Sequence, residues 1–247
     1  MPDRCRDVAN GQKADFPGGP YGIEVFNVHY ADCDTAWVMC RHNQAEISRE
    51  QMIDLFGRMP VRMRQWIRLI IGNPDYGDVW LWGDAQNYPT LWVHEMAHAL
   101  DYQAAPGPTR LSSSQRWLDA YNNDAAISDG YAAKDQKENF AQETVIALFD
   151  TVVPGGIGTV VPNWAVIYNQ HSTVRSALGD NLVPGGRCGA RKPDAGIVCM
   201  GPAAPCGQRQ VGQRASPTIA TAVVKVSRMP PPEGPGVLAA DGERFWQ

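Results

Sequence analysis

Apolar positions along this chain follow two different periods. In IEVFNVHYAD, residues 23 to 32, hydrophobic and polar side chains alternate closely enough to predict a strand, with His29 a structural histidine rather than a ligand. From Ser48 the period lengthens to that of a helix. Ser48 with Gln51 forms a capping-box pair that opens ISREQMIDLFGRM, and after Pro60 the run VRMRQWIRLII predicts a second amphipathic helix, stopped by Gly72-Asn73-Pro74. On this second run Arg62, Arg64 and Arg68 are expected to form a solvated face. DVWLWGD, residues 78 to 84, reads as a short strand whose edge an extended peptide could join, with Trp80 and Trp82 equally well placed as core aromatics. Tyr88-Pro89-Thr90 then launches a helix through LWVHEMAHALDY, residues 91 to 102.

Beyond a break at AAPGPT, the stretch SSSQRWLDAYNND predicts a capped helix, and Gly130-Tyr131 a turn. A helix of about 15 residues should start near Asp135, with Glu138, Gln142, Val145 and Phe149 on one stripe. PNWAVIYNQHSTVRSAL, residues 162 to 178, predicts a further helix, with His171 on its surface. From residue 184 Gly, Pro and Cys dominate, followed by one candidate strand, IATAVVKVS, and a stiff stretch, MPPPEGPG. The expected fold class is α+β and mostly helical, with short edge strands. Residues 1 to 183 would form the main domain, and residues 184 to 247 a Cys/Gly/Pro-rich extension tied to it by disulfides.

Composition narrows the partners. The chain has 247 residues, 44% of them hydrophobic, with eight Trp, enough to bury a full core. A formal charge of −4 and no basic run interleaved with aromatics exclude a nucleic-acid groove. No window of about 18 apolar residues spans a membrane, and MPDRCRDVANGQ lacks the apolar centre of a signal peptide. Nothing in the pattern speaks to oligomeric state.

The cysteines point to an oxidising compartment. Cys5, Cys33, Cys40, Cys188, Cys199 and Cys206 are even in number, never spaced Cys-x-x-Cys, and sit mostly in loop-like sequence. We therefore expect a secreted, extracellular protein, with Met1 standing where a signal peptide has been removed. Cys33 with Cys40 is the expected local pair, and the other four would tie Cys5 to residues 184 to 209. Reduced, buried cysteines are the alternative, and no glycosylation sequon adds support for secretion.

One stretch carries chemistry. His94-Glu95-Met96-Ala97-His98 puts two imidazoles four residues apart on one helix face, with Glu95 leaning toward the same cleft, the arrangement of a zinc site. Catalytic zinc takes three protein ligands and keeps a fourth position open. A further His six residues beyond His98 would complete one known class, but Ala104 stands there and Asp101 replaces its Gly. Asp101 is better placed to orient an imidazole than to bind the ion. Glu138, from the later helix, is the expected third ligand, against the alternative that it merely closes a capping box with Asp135. Glu143 lies about 140° round the helix from Glu138 and is expected to face solvent.

Together, His94-Glu95-Met96-Ala97-His98 and Glu138-Asn139-Phe140-Ala141-Gln142 resemble the gluzincin pattern of the anthrax lethal-factor and Pro-Pro endopeptidase group. Over residues 20 to 150, NVHYADCDTAWVMCRH, LFGRMPVRMRQWIR and HEMAHALD resemble the fungal conidiation-specific secreted proteins, a metallopeptidase-like group similar in pattern to fungal zinc-binding surface antigens. The resemblance implies a zincin-like catalytic domain with one Zn2+ ion on His94, His98 and Glu138. It implies Glu95 as general base, Tyr131 as donor to an oxyanion, and Gln142 supporting a ligand where the bacterial group has glutamate.

The resulting expectation is a secreted zinc endopeptidase acting on a peptide or protein substrate through a metal-activated water. Its rival is a non-catalytic zinc-capture or surface-antigen-like protein. A zinc that only staples a secreted module is the third reading.

Overall fold

The computed structural model describes residues 1–11, 16–70, 78–79, 81 and 85–200. It is a mixed α/β structure, about half helical, with one small sheet. The chain opens with helix α1 (Asp3–Gly11) and a short 3-10 turn, then an antiparallel pair, β1 (Ile23–Val28) and β2 (Trp37–His42). Their register sets Val25 opposite Cys40 and Val28 opposite Trp37. Strand β3 (Leu69–Ile70) adds to β2 in parallel, and β4 (Asp78–Val79) adds to β3, giving the order β1-β2-β3-β4.

The capping box at Ser48 is present. The Ser48 side chain accepts from the Gln51 backbone and the Gln51 side chain accepts from the Ser48 N–H, starting α2 (Arg49–Arg58). The run after Pro60 is not one long helix. It makes only α3 (Val61–Arg64), after which Leu69 and Ile70 enter the sheet beside Val38 and Met39. Tertiary pairing here overrides a helical period.

Arg64 corrects the expected solvated face: it is 1% exposed, its guanidinium stacked over Tyr30 at 4.7 Å and Trp37 at 5.3 Å and paired with Asp32. Arg68 likewise forks onto Asp78 of β4, with contacts of 2.8 Å. His29 is exposed.

The helical layer positions the candidate site. Pro89, with its fixed φ, opens α4 (Pro89–Gln103), whose residues 92–94 and 96–101 are all buried, the signature of a helix enclosed by its neighbours. It ends at Ala104, just before Ala105-Pro106. After α5 (Gln115–Asn123), α6 (Gln136–Val152) starts at Asp135, whose carboxylate accepts from the Lys137 and Glu138 N–H groups. Helices α4 and α6 lie side by side in the most extensive helix contact among the described residues, and α7 (Tyr168–Leu178) packs on α6. Trp37, Phe56 and Trp92 join sheet to helices through edge and tilted ring contacts, and Trp117 meets Phe140 of α6.

His171 is not on the surface. It is 2% exposed, with Nε2 facing Asp150 at 3.4 Å, and burial lowers its pKa against the pull of Asp150.

Two cross-links join described residues, Cys5–Cys40 and Cys33–Cys188. The expected Cys33–Cys40 pair does not form, because Cys40 faces α1 in a small cluster with Cys5 and Leu69, while Cys33 packs with the main core. Cys199 is also disulfide-bonded, and among the described residues no cysteine is free. Residues 184–200 run back over the main body: Cys188 N–H donates to Asp32 O, Lys192 N–H to Gln65 O, and Val198 N–H to Met1 O. Cys206, Trp80, Trp82, IATAVVKVS and MPPPEGPG lie outside the described residues.

Candidate metal centre

Four residues apart on α4, His94 and His98 set their rings edge to face, with centroids 4.9 Å apart. Across the helix interface Glu138, in the first turn of α6, turns its carboxylate toward them. Its Oε2 lies 2.9 Å from His94 Nε2 and 3.4 Å from His98 Nε2. Three donor atoms from two helices therefore converge. Tetrahedral zinc with bonds of about 2.0–2.1 Å would hold its ligand atoms about 3.3 Å apart, so this donor set matches in both chemistry and spacing. Glu95 is the second carboxylate of the cluster: one donor atom each from His94, Glu95 and His98 lie within 4.8 Å of one another.

The capping alternative for Glu138 is half right. Asp135 caps the helix, but the Glu138 side chain is spent on the imidazoles and on Lys134, not on the helix end.

Support for the cluster comes from behind it. Gln142 Oε1 accepts from His94 Nδ1 at 2.7 Å, and Gln142 Nε2 donates to Asp129 Oδ2. Asp129 can only accept, which orients the amide and makes its oxygen the acceptor for Nδ1–H. His94 thereby points its other nitrogen at Glu138. Asp129 also takes the Tyr131 and Ala132 N–H groups on Oδ1, both at 2.9 Å, so one aspartate organises the turn and the amide together. Sequence reasoning missed it, although Asp129-Gly130 is a turn signature.

Tyr131 stands on the outer side, 50% exposed, its ring edge against His94 at 5.6 Å. Asp101 is fully buried, and its hydrogen bonds run to Ser112, at 2.8 Å from the backbone N–H and 2.6 Å from the hydroxyl, with Arg110 at 3.7 Å. It ties the end of α4 to the following loop.

Electrostatics follow from this packing. Burial opposes charge on His94, but the hydrogen bond to Glu138, the charge of Glu95 and the Gln142 bond together raise its pKa. Against its own burial, the Glu138 carboxyl is held well below the usual range by the bonds to His94 and His98. Burial pushes Glu95 upward, with His98 and His94 pulling the other way. Glu143 corrects its expected position: it is fully buried, and burial together with the charges of Asp124 and Asp129 raises its pKa well above the ordinary value.

The comparisons give the chain a family and correct its chemistry. The family described as Conidiation-specific protein Con-13 matches residues 1–233. Conidiation-specific protein 13 of Neurospora crassa is 27% identical over 214 residues, covering 82% of this chain and 61% of that relative, so the chain spans about three fifths of its length. No solved structure matches. The matching descriptions name conidiation and no peptidase, which overturns the gluzincin peptidase assignment, with its hydrolase and protease vocabulary, and the zinc-capture alternative with it. The chain belongs to the Con-13 family of conidiation-specific proteins.

Proposed function

We propose that this chain serves in conidiation, as the name of its Neurospora crassa relative describes, and does so as an extracellular domain built around one divalent transition-metal ion. The observation that carries the metal reading is the convergence of His94 Nε2, His98 Nε2 and Glu138 Oε2 at 2.9 and 3.4 Å. Two imidazoles and one carboxylate suit zinc among the common ions. Such an ion would supply Lewis-acid chemistry. His94 and His98 would hold it from α4 and Glu138 from α6, while Gln142 with Asp129 fix the His94 ring. The disulfides support an oxidising compartment. No hydrolysis and no metal-scavenging role is assigned to the site.

Calorimetric titration of metal-stripped protein with zinc tests the reading. One site per chain is expected, and His98→Ala should weaken it by more than the roughly 10- to 100-fold typical of losing a supporting residue. Heat that never saturates at one ion per chain, or an unchanged isotherm in His98→Ala, overturns it.

A further inference from the structure

Resting on the metal reading above, we propose that the outer side of this centre binds an oxyanion ligand, a carboxylate or phosphate group, and that Lys134 recognises it. Lys134 Nζ lies 3.4 Å from Glu138 Oε1 and 3.5 Å from Tyr131 Oη, with the ammonium 5.2 Å from the Tyr131 ring centre. Glu138 thus divides its carboxylate, with Oε2 turned inward to the imidazoles and Oε1 outward to the lysine.

The inner wall is closed, since His94 and His98 are buried between α4 and α6, whereas the Lys134 side chain is 59% exposed. Lys134 and Tyr131 are thus exposed groups in contact with the cluster, one with Glu138 and the other with His94.

What these two residues offer is donors. Lys134 has only donors, and because it donates to Tyr131 Oη, the phenolic hydrogen is left to point at a further acceptor. Charge narrows the choice among acceptors. With a divalent ion bound, Glu138 and Glu95 balance its two charges, and the ammonium of Lys134 is the positive charge left over on the open side. A ligand with one or two negative oxygens can meet the metal, Lys134 and Tyr131 at once, and charge-assisted hydrogen bonds of this kind are about twice as strong as neutral ones.

The test uses the full chain loaded with cobalt(II), whose visible bands report on the metal's ligands. Acetate and inorganic phosphate are titrated separately into wild type, Lys134→Met and Tyr131→Phe. One of the two anions should shift the bands of wild type at saturable concentration, and the two arms tell carboxylate from phosphate. Lys134→Met should keep its cobalt bands and weaken that anion roughly tenfold or more, with a smaller loss in Tyr131→Phe. Equal anion affinity in wild type and Lys134→Met, or no band shift with either anion, overturns the proposal while the metal reading stands. Absence of cobalt bands before any anion is added sinks the metal reading itself, and this proposal with it.

Discussion

His94 is committed at both ends. Nδ1 is tied to Gln142 Oε1 at 2.7 Å, and Nε2 faces Glu138 Oε2 at 2.9 Å. The ring cannot turn without losing both contacts, so Nε2 is held toward Glu138. Gln142→Leu keeps the volume but removes the acceptor for Nδ1–H and the donor to Asp129. Competition against a chromophoric chelator should show zinc affinity falling roughly 10- to 100-fold. An unchanged affinity would make Gln142 a packing residue only.

The residue types at this cluster were legible because a metal site demands them at fixed helical spacing. Arg64 and His171 were not. Both are polar residues in amphipathic-looking runs, and only the folded chain reveals that Arg64 lies under three aromatic rings and His171 against Asp150. Asp101 falls between these cases: its helical spacing from His98 was legible, but Ser112 takes up its oxygens.

At the scale of elements, α6 does two jobs. Its first turn supplies Glu138, and its middle is buried without interruption from Asn139 to Leu148. This is why an angular argument misplaced Glu143: a position about 140° from Glu138 still meets protein, because the middle of α6 is buried without interruption.

The raised pKa of Glu143, caused by burial and then by Asp124 and Asp129 and only partly offset by Ser128, has a sign. Between its unfolded and folded values the folded chain holds the proton and the unfolded chain does not. Stability is therefore lost as pH rises above the ordinary carboxylate range. Glu143→Gln removes that dependence while keeping the shape. Thermal melts at pH 5 and pH 8 should show the variant gaining on wild type at the higher pH. Parallel pH profiles for the two proteins contradict the assignment.

Helices α4 and α6 were legible through Pro89, Asp135 and long apolar periods. Strand β2 was not, because Trp37, Met39, Cys40 and His42 are all buried and the alternation that marks a one-sided strand is absent. Helix α1 hid for the opposite reason: its buried side chains are only Cys5, Val8 and Ala9, too small to write a stripe.

Across the whole molecule, the links that matter join distant segments. Cys33–Cys188 spans 155 residues and Cys5–Cys40 spans 35, pairings that cysteine count alone leaves open. They fasten α1 to β2 and residues 184–200 to the β1–β2 connection, and leave the α4–α6 seam to be closed by packing and by the cluster itself. An ion held there would join two helices whose ligands are 44 residues apart, His94 and Glu138.

The identity of the third ligand is therefore the central claim. It is separable from the helix cap beside it. Elemental analysis of zinc-equilibrated, desalted wild type, Glu138→Ala and Asp135→Ala decides it. The account predicts one zinc per chain in wild type, none in Glu138→Ala, and full zinc in Asp135→Ala despite about 1 kcal/mol of lost helix stability. Full zinc in Glu138→Ala would contradict it.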